Sequence, residues 1–167
     1  YIEKNRENDK YRLGVKILEL AHVINSHISI RKVIVPHLQD LADQSGETVY
    51  FGIPNNGDVL YLDSAYPHNA IDMRPMLGEI APMYCTAIGK AMLACYTDED
   101  ILKLVPEKME RFTENTITEP QALLDEIKKI REYGYAIDNM EHEYGIRCVG
   151  MAVKNRSGQL VAGISVS

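Results

Sequence analysis

Cys148, Ser165 and Ser167 stand near the carboxyl end on two alternating runs, 145–153 and 160–167, separated by Asn155-Arg156-Ser157-Gly158. Two such runs around a turn-forming tetrapeptide read as a β-hairpin. If Asn155 and Gly158 close the turn, Cys148 faces Ser165 and Ile146 faces Ser167. Side chains alternate between faces along a strand. One face therefore gathers Val149, Met151, Val153, Leu160, Ala162, Ile164 and Val166, which reads as the packing face. The other gathers Ile146, Cys148, Gly150, Ala152, Val161, Gly163, Ser165 and Ser167. Its side chains are mostly small and several end in a polar group, so the face leaves room for a ligand held by hydroxyl and thiol hydrogen bonds. Singly, these residues have plainer readings. A strand cysteine is most often a small buried apolar residue, and alternating serines commonly line a solvated face.

A thiol invites two further chemistries. A cysteine nucleophile needs a base beside its thiolate, and His142 is the nearest histidine in the chain. Six residues across a loop and a strand do not impose contact. Zinc suits thiolate, imidazole and carboxylate together, so Cys148 with His142, Asp138 or Glu143 gives the alternative reading, a zinc-binding or cysteine-dependent small-molecule enzyme. Against it, Glu141-His142-Glu143 lacks the H-E-x-x-H spacing. The expectation is no catalytic residue, no cofactor and no metal.

The chain that must position these groups has 167 residues, enough for one domain with a core of its own. A net charge of −6 argues against this chain alone gripping a phosphate backbone. Three cysteines without C-x-x-C spacing point to a reducing, cytoplasmic setting. No apolar stretch approaches a membrane span. The charged segment 1–12 reads as a linker, and a first residue that is Tyr1 rather than Met suggests a neighbour upstream.

Apolar spacing predicts a helix over 13–24, with Val15, Leu18, Ala21 and His22 inward. A second starts at Ser29, carries Ile30, Ile34, Leu38 and Leu41, bends at Pro36 and stops near Gly46. Strands 48–53 and 59–62 flank the hairpin loop Pro54-Asn55-Asn56-Gly57-Asp58, and 71–76 reads as a third strand. Residues 86–95 favour helix, Thr97 caps another helix through Leu104, and Thr118-Pro120-Gln121 opens a helix striped by Leu123, Leu124, Ile127 and Ile130 that ends at Gly134. Strand 135–137 then leads into the acidic loop 138–143. Hairpin-joined strands with modest helices indicate an α+β fold on an antiparallel sheet.

The order of four motifs, Tyr84-Cys85-Thr86-Ala87-Ile88-Gly89-Lys90-Ala91-Met92-Leu93-Ala94, Arg131-Glu132-Tyr133-Gly134-Tyr135-Ala136-Ile137-Asp138, Glu141-His142-Glu143-Tyr144-Gly145-Ile146-Arg147-Cys148 and Ala162-Gly163-Ile164-Ser165-Val166-Ser167, resembles the effector-binding domain of the isocitrate-lyase-regulator (IclR) family. Tyr11-Arg12-Leu13-Gly14 is similar to the start of that family's linker helix. The resemblance implies a curved antiparallel sheet flanked by helices, related to profilin and GAF domains. It implies that 1–25 is a linker and helix following an absent winged helix-turn-helix, and that 26–167 is the effector-binding domain. It further implies a cytoplasmic bacterial regulator, a homodimer or dimer of dimers, that reaches DNA only through the absent domain and makes no use of a membrane. Its ligand positions fall on Met73, Thr86, Ala87, Ile88, Asp138, Ile146, Cys148, Ser165 and Ser167. Many relatives carry a smaller residue where Ile88 stands, so the pocket here is expected to be narrower or more apolar.

The implied effector is a small-molecule carboxylate. The turn at Thr86-Ala87-Ile88 opens a helix, and free N–H groups at a helix start suit an anion. An ionised Asp138 would repel a second carboxylate unless it meets a ligand hydroxyl or keeps its proton. Those two demands favour a hydroxy-, keto- or sugar acid with its acid group toward the helix and its hydroxyls toward Asp138.

Overall fold

The structure, a computed structural model, describes residues 1–5, 8–27, 29–68 and 76–167, with backbone alone at 22, 24–27, 29, 31 and 32. Two compact units divide the chain, Tyr1–Ile34 and Val35–Ser167.

The first unit opens on a two-stranded ribbon. Strand β1 (Ile2–Lys4) pairs antiparallel with β2 (Tyr11–Leu13), Ile2 opposite Leu13. The charges that suggested a solvated linker pair across this ribbon: Lys4 with Asp9 at 2.6 Å and Arg12 with Glu3 at 3.0 Å. Residues 11–13 are thereby taken into a strand, so helix α1 (Ile17–His27) begins later than the apolar spacing suggested. Of the residues expected inward, Val15 and Leu18 are exposed in the single chain, Ala21 is half-buried, and the His22 side chain lies outside the described residues. Helix α2 (Ser29–Ser45) is assigned as one helix through Pro36.

The second unit is built on a six-stranded sheet. Strands β3 (Val49–Asn55), β4 (Asp58–Ala65), β5 (Ile80–Pro82), β6 (Ala136–Asn139), β7 (Arg147–Lys154) and β8 (Leu160–Val166) lie in the order β5-β4-β3-β8-β7-β6. Every neighbouring pair is antiparallel. The expected strand 71–76 falls mainly on residues 71–75, outside the described residues, and Met76 is in no strand; the edge strand beside β4 is β5. A 3-10 turn (Met83–Cys85) leads into helix α3 (Ala87–Leu93), followed by α4 (Asp98–Leu104) and α5 (Pro120–Tyr133). Thr97 caps α4 as its sequence suggests, accepting Asp100 N–H at 3.2 Å. Helix α5 begins without a side-chain cap: its N-cap is Glu119, and Thr118, one residue earlier, receives Arg111 on its hydroxyl at 3.0 Å. Gly134, at φ 82°, ends it in the left-handed conformation that costs glycine least.

The core lies between the helices and one face of the sheet. All seven residues of α3 are buried, and Ile88, Met92 and Leu93 join Met83, Tyr84, Leu123, Ile127 and Ile130 in one apolar cluster. The sheet face that receives α3 is the small one. A Cβ added at Gly163 would stand 2.8 Å from both Ile88 Cγ1 and Met92 Cε, and one at Gly150 would stand 2.5 Å from the Ala87 carbonyl oxygen. The face expected to pack, by contrast, leaves Val149 and Met151 exposed. Leu160 also changes sides, leaning on the main apolar cluster.

The β7–β8 register explains that exchange. Val149 lies opposite Val166 and Gly150 opposite Ser165, so the partners are two residues displaced from those expected. Gly158, in the left-handed region, adds one residue to the turn, and Asn155 N–H closes onto Gln159 O at 2.9 Å. A second irregularity at Val153/Lys154 adds another. Two single-residue slips restore the original parity, so Cys148, Ser165 and Ser167 still share a face although their partners differ.

Gly150→Ala is expected to destabilise the fold by about 1–3 kcal/mol, because the new methyl meets backbone that cannot rotate away. Gly163→Ala should cost less, since Met92 is flexible; denaturant midpoints of the two variants check the order.

Candidate ligand pocket

Where α3 stops covering the sheet, a cavity of about 340 Å³ opens over the ends of β6, β7 and β8. Eight of the nine expected residues line it: Thr86, Ala87, Ile88, Asp138, Ile146, Cys148, Ser165 and Ser167. Met73 lies outside the described residues. The remaining walls, which the sequence reading missed, come from Thr48, Tyr50, Tyr61, Tyr66, Met76, His142 and Glu143. Strand alternation would have found part of this set, because Tyr50 lies directly opposite Ser165 in register.

The roles within the cavity are uneven. Thr86 is an N-cap: its hydroxyl donates to Pro82 O at 3.1 Å and accepts Gly89 N–H at 3.2 Å, so its proton is already committed. The first-turn N–H groups of Ala87 and Ile88 have no intrahelical acceptor. Ser167 donates its hydroxyl proton to Cys148 Sγ at 2.9 Å. Burial pushes the Cys148 thiol up to about 11 despite that hydrogen bond, with the nearby Asp138 charge adding to the effect, so it stays protonated near neutral pH. Its neighbour is therefore a hydroxyl rather than His142, whose ring instead lies 4.8 Å from Phe112. A thiol so placed is no nucleophile. Ser165 is buried, and among the described residues its hydroxyl has no partner.

Asp138 sits on β6 opposite Cys148 and is 3% exposed. Burial raises its carboxyl above the usual range, outweighing the lowering by the Glu141 N–H, Lys90 and His142. That N–H reaches Asp138 Oδ1 at 2.7 Å. The loop closes where Met140, at φ 59°, donates its N–H to Ile146 O at 3.0 Å.

Behind this wall lies a charge that sequence reasoning passed over. Lys90 is fully buried, and its Nζ stands 2.5 Å from Glu141 Oε1 and 3.8 Å from Glu126 Oε1. Glu141 Oε2 is buried without a partner, and burial raises that carboxyl too. Thr113 and Thr116 donate hydroxyl protons to the carbonyls of Met140 and Glu141, each at 2.6 Å. The sequence signal was a lone lysine inside an otherwise apolar helix, Ala87–Leu93.

A short helix held against a curled antiparallel sheet, with a polar cavity open at the helix head, is an arrangement suited to holding a small ligand. Comparison with known proteins supplies the family. Residues 22–167 match the model described as "Bacterial transcriptional regulator IclR C-terminal". The chain is 33% identical over 168 residues to the HTH-type transcriptional regulator XynR of Escherichia coli K12, covering 100% of this chain and 67% of that protein. It is 33% identical over 169 residues to the regulator KdgR of the same organism, covering 100% and 64% respectively. The crystal structure of Thermotoga maritima IclR superposes with a TM-score of 0.81 at 34% identity, over 99% of this chain and 67% of that one. The chain belongs to the IclR family, as the effector-binding part of a transcriptional regulator rather than an enzyme. It spans about half to two thirds of the curated relatives it matches. Among the described residues no helix is long and apolar enough to cross a membrane, and no three His, Cys, Asp or Glu gather as a metal site.

Two outcomes follow from the buried charges. Lys90→Met should lower unfolding free energy by about 3–5 kcal/mol, since Glu141 is left stranded, and Lys90→Met with Glu141→Leu should recover most of it; urea denaturation measures both. Asp138 has a folded pKa above its unfolded value of 3.8, so the folded state binds the extra proton and stability falls as pH rises through that interval. Ligand-free Asp138→Asn is therefore expected to melt higher than the unaltered protein at pH about 7, the difference closing as pH falls toward about 4, as calorimetry across that range would register.

Proposed function

We propose that this domain senses a small organic acid carrying one carboxylate and further oxygens, a hydroxy-, keto- or sugar acid. Occupancy then alters DNA binding by a winged helix-turn-helix domain ahead of Tyr1. On this reading residues 1–25 are linker and helix, 26–167 the sensor, and the whole a cytoplasmic homodimer or dimer of dimers. What supports it is one cavity walled by Asp138, Ser165, Ser167, Cys148 and the head of α3. Among the described residues two carboxylates line that cavity, Asp138 and Glu143, and no lysine or arginine does. A second ligand carboxylate would meet repulsion from Asp138, whereas one carboxylate can turn to the N–H groups of Ala87 and Ile88. Ile88 and the rings of Tyr50 and Tyr61 suit a short carbon chain.

The names of the relatives, HTH-type transcriptional regulators, support the DNA-binding partner domain. Exposed Val15, Leu18, Leu20 and Val23 support self-association of the first unit. Coupling requires that the acid bind one arrangement of subunits more tightly than another.

A thermal-shift screen of small carboxylic acids tests the sensor. At a hundredfold over its dissociation constant a true effector should stabilise the fold by about 2.7 kcal/mol. In the intact regulator it should change operator affinity, and Asp138→Asn or Ser165→Ala should weaken its binding by about 1.5–3 kcal/mol if the lost bond is charged. Equal operator binding with and without saturating effector would retire the regulatory reading.

A further inference from the structure

Tyr61 on β4 is 6% exposed, and its phenol opens onto the cavity. Its ring stands edge-on to Tyr50, with centroids 5.8 Å apart and planes at 70°. Tyr61 shares the lining of that cavity with Cys148, Asp138 and Ser165. Among the described residues no donor or acceptor stands within hydrogen-bond distance of that hydroxyl. Buried tyrosine hydroxyls ordinarily find a partner. Tyr84 does so here, donating to Glu110 O at 3.0 Å. Nor is the Tyr61 oxygen sealed away, since among the described residues the one fully buried side-chain atom without a partner is Glu141 Oε2. Ser165 repeats the pattern on β8: 3% exposed, on the same cavity, its hydroxyl unclaimed by the described residues. Two residues more than nine-tenths buried thus line one cavity, and among the described residues neither hydroxyl has a hydrogen-bond partner.

We infer that Tyr61 is an effector-contacting residue that sets specificity, its hydroxyl hydrogen-bonding an oxygen the ligand carries beyond its carboxylate. The inference rests on the acid-sensing reading above and narrows it. Leaving two desolvated hydroxyls unpaired penalises a ligand that lacks matching oxygens. The pocket therefore favours hydroxy and keto acids over unsubstituted acids of the same length. A purely structural Tyr61 would act through its ring alone, packed on Tyr50, and its hydroxyl would be dispensable.

The test uses the intact protein and Tyr61→Phe, with pyruvate, glycerate, gluconate and propionate as probes in titration calorimetry. Ligand-free melting temperatures are recorded alongside. The variant should melt at or above the unaltered protein, because it removes an unpaired buried hydroxyl. Its affinity for the best-bound oxygenated acid should fall about 3–10-fold, with propionate unchanged, so the preference narrows by the same factor. Unchanged affinity for all four acids in the variant overturns the inference and leaves acid sensing standing. A lowered ligand-free melting temperature, with propionate losing as much as the others, assigns Tyr61 a structural role and also overturns it. Failure of the unaltered protein to bind any of the four acids, visible without the variant, removes the acid reading and this inference with it.

Discussion

Helix α3 meets the sheet at backbone distance. At Gly150 the absent Cβ is replaced by the Ala87 carbonyl and the Ile88 nitrogen, and at Gly163 by the side chains of Ile88 and Met92. Gly150 tolerates no side chain with the helix where it is, and Gly163 only if Ile88 and Met92 give way, so the sheet's smallest residues decide how deep the helix sits. The depth in turn decides what is left over. Toward the strand ends the helix no longer covers Cys148, Ser165 and Ser167, and that uncovered corner is the cavity. Room above small residues is thus mostly filled by α3, and the pocket is the part of it that the helix does not reach.

Three unlike forces keep that helix in register with the loop opposite. Thr86 satisfies the first turn from within, through Gly89 N–H and Pro82 O. Met92 and Leu93 anchor its second half in the apolar cluster. Between them Lys90 reaches Glu141 in the loop after β6, and the same residue's N–H fixes Asp138. The helix head and the carboxyl that face one another across the cavity are therefore tied beneath it by a single buried ion pair. Such pairs seldom add net stability over an apolar contact, but breaking one is costly, which makes them better at fixing position than at holding a fold together. Thr113 and Thr116 extend the tie to the segment before α5 by holding the Met140 and Glu141 carbonyls.

Much of this was readable in advance, and the misses have physical causes. Alternation assigned Cys148, Ser165 and Ser167 to one face because parity survives any even change of register. It could not supply their partners, which depend on Gly158 and on the irregularity at Val153/Lys154. Nor does alternation say which face is covered: apolar Val149 and Met151 read as core, yet they are exposed while glycines take the helix. Lys90 escaped notice because burial of a cation depends on Glu141, 51 residues away in sequence. The pairing of β1 with β2 was not legible because its ion pairs are cross-strand, at separations that composition does not register. Tyr50 and Tyr61 had the right periodicity but came from a different hairpin, and only the β3–β8 pairing carries them to Ser165.

The two slips in the last hairpin compensate one another, and this binds distant parts of the strand together. Were one residue deleted from the turn that ends at Gly158, every position of β8 beyond it would trade inside for outside relative to β7. Ser165 and Ser167 would then face away from Cys148, and Ile164 and Val166 would be driven against α3. Length variation at this turn is consequently a change to the cavity lining, and it is tolerable only when a matching residue is gained or lost elsewhere in the same ribbon.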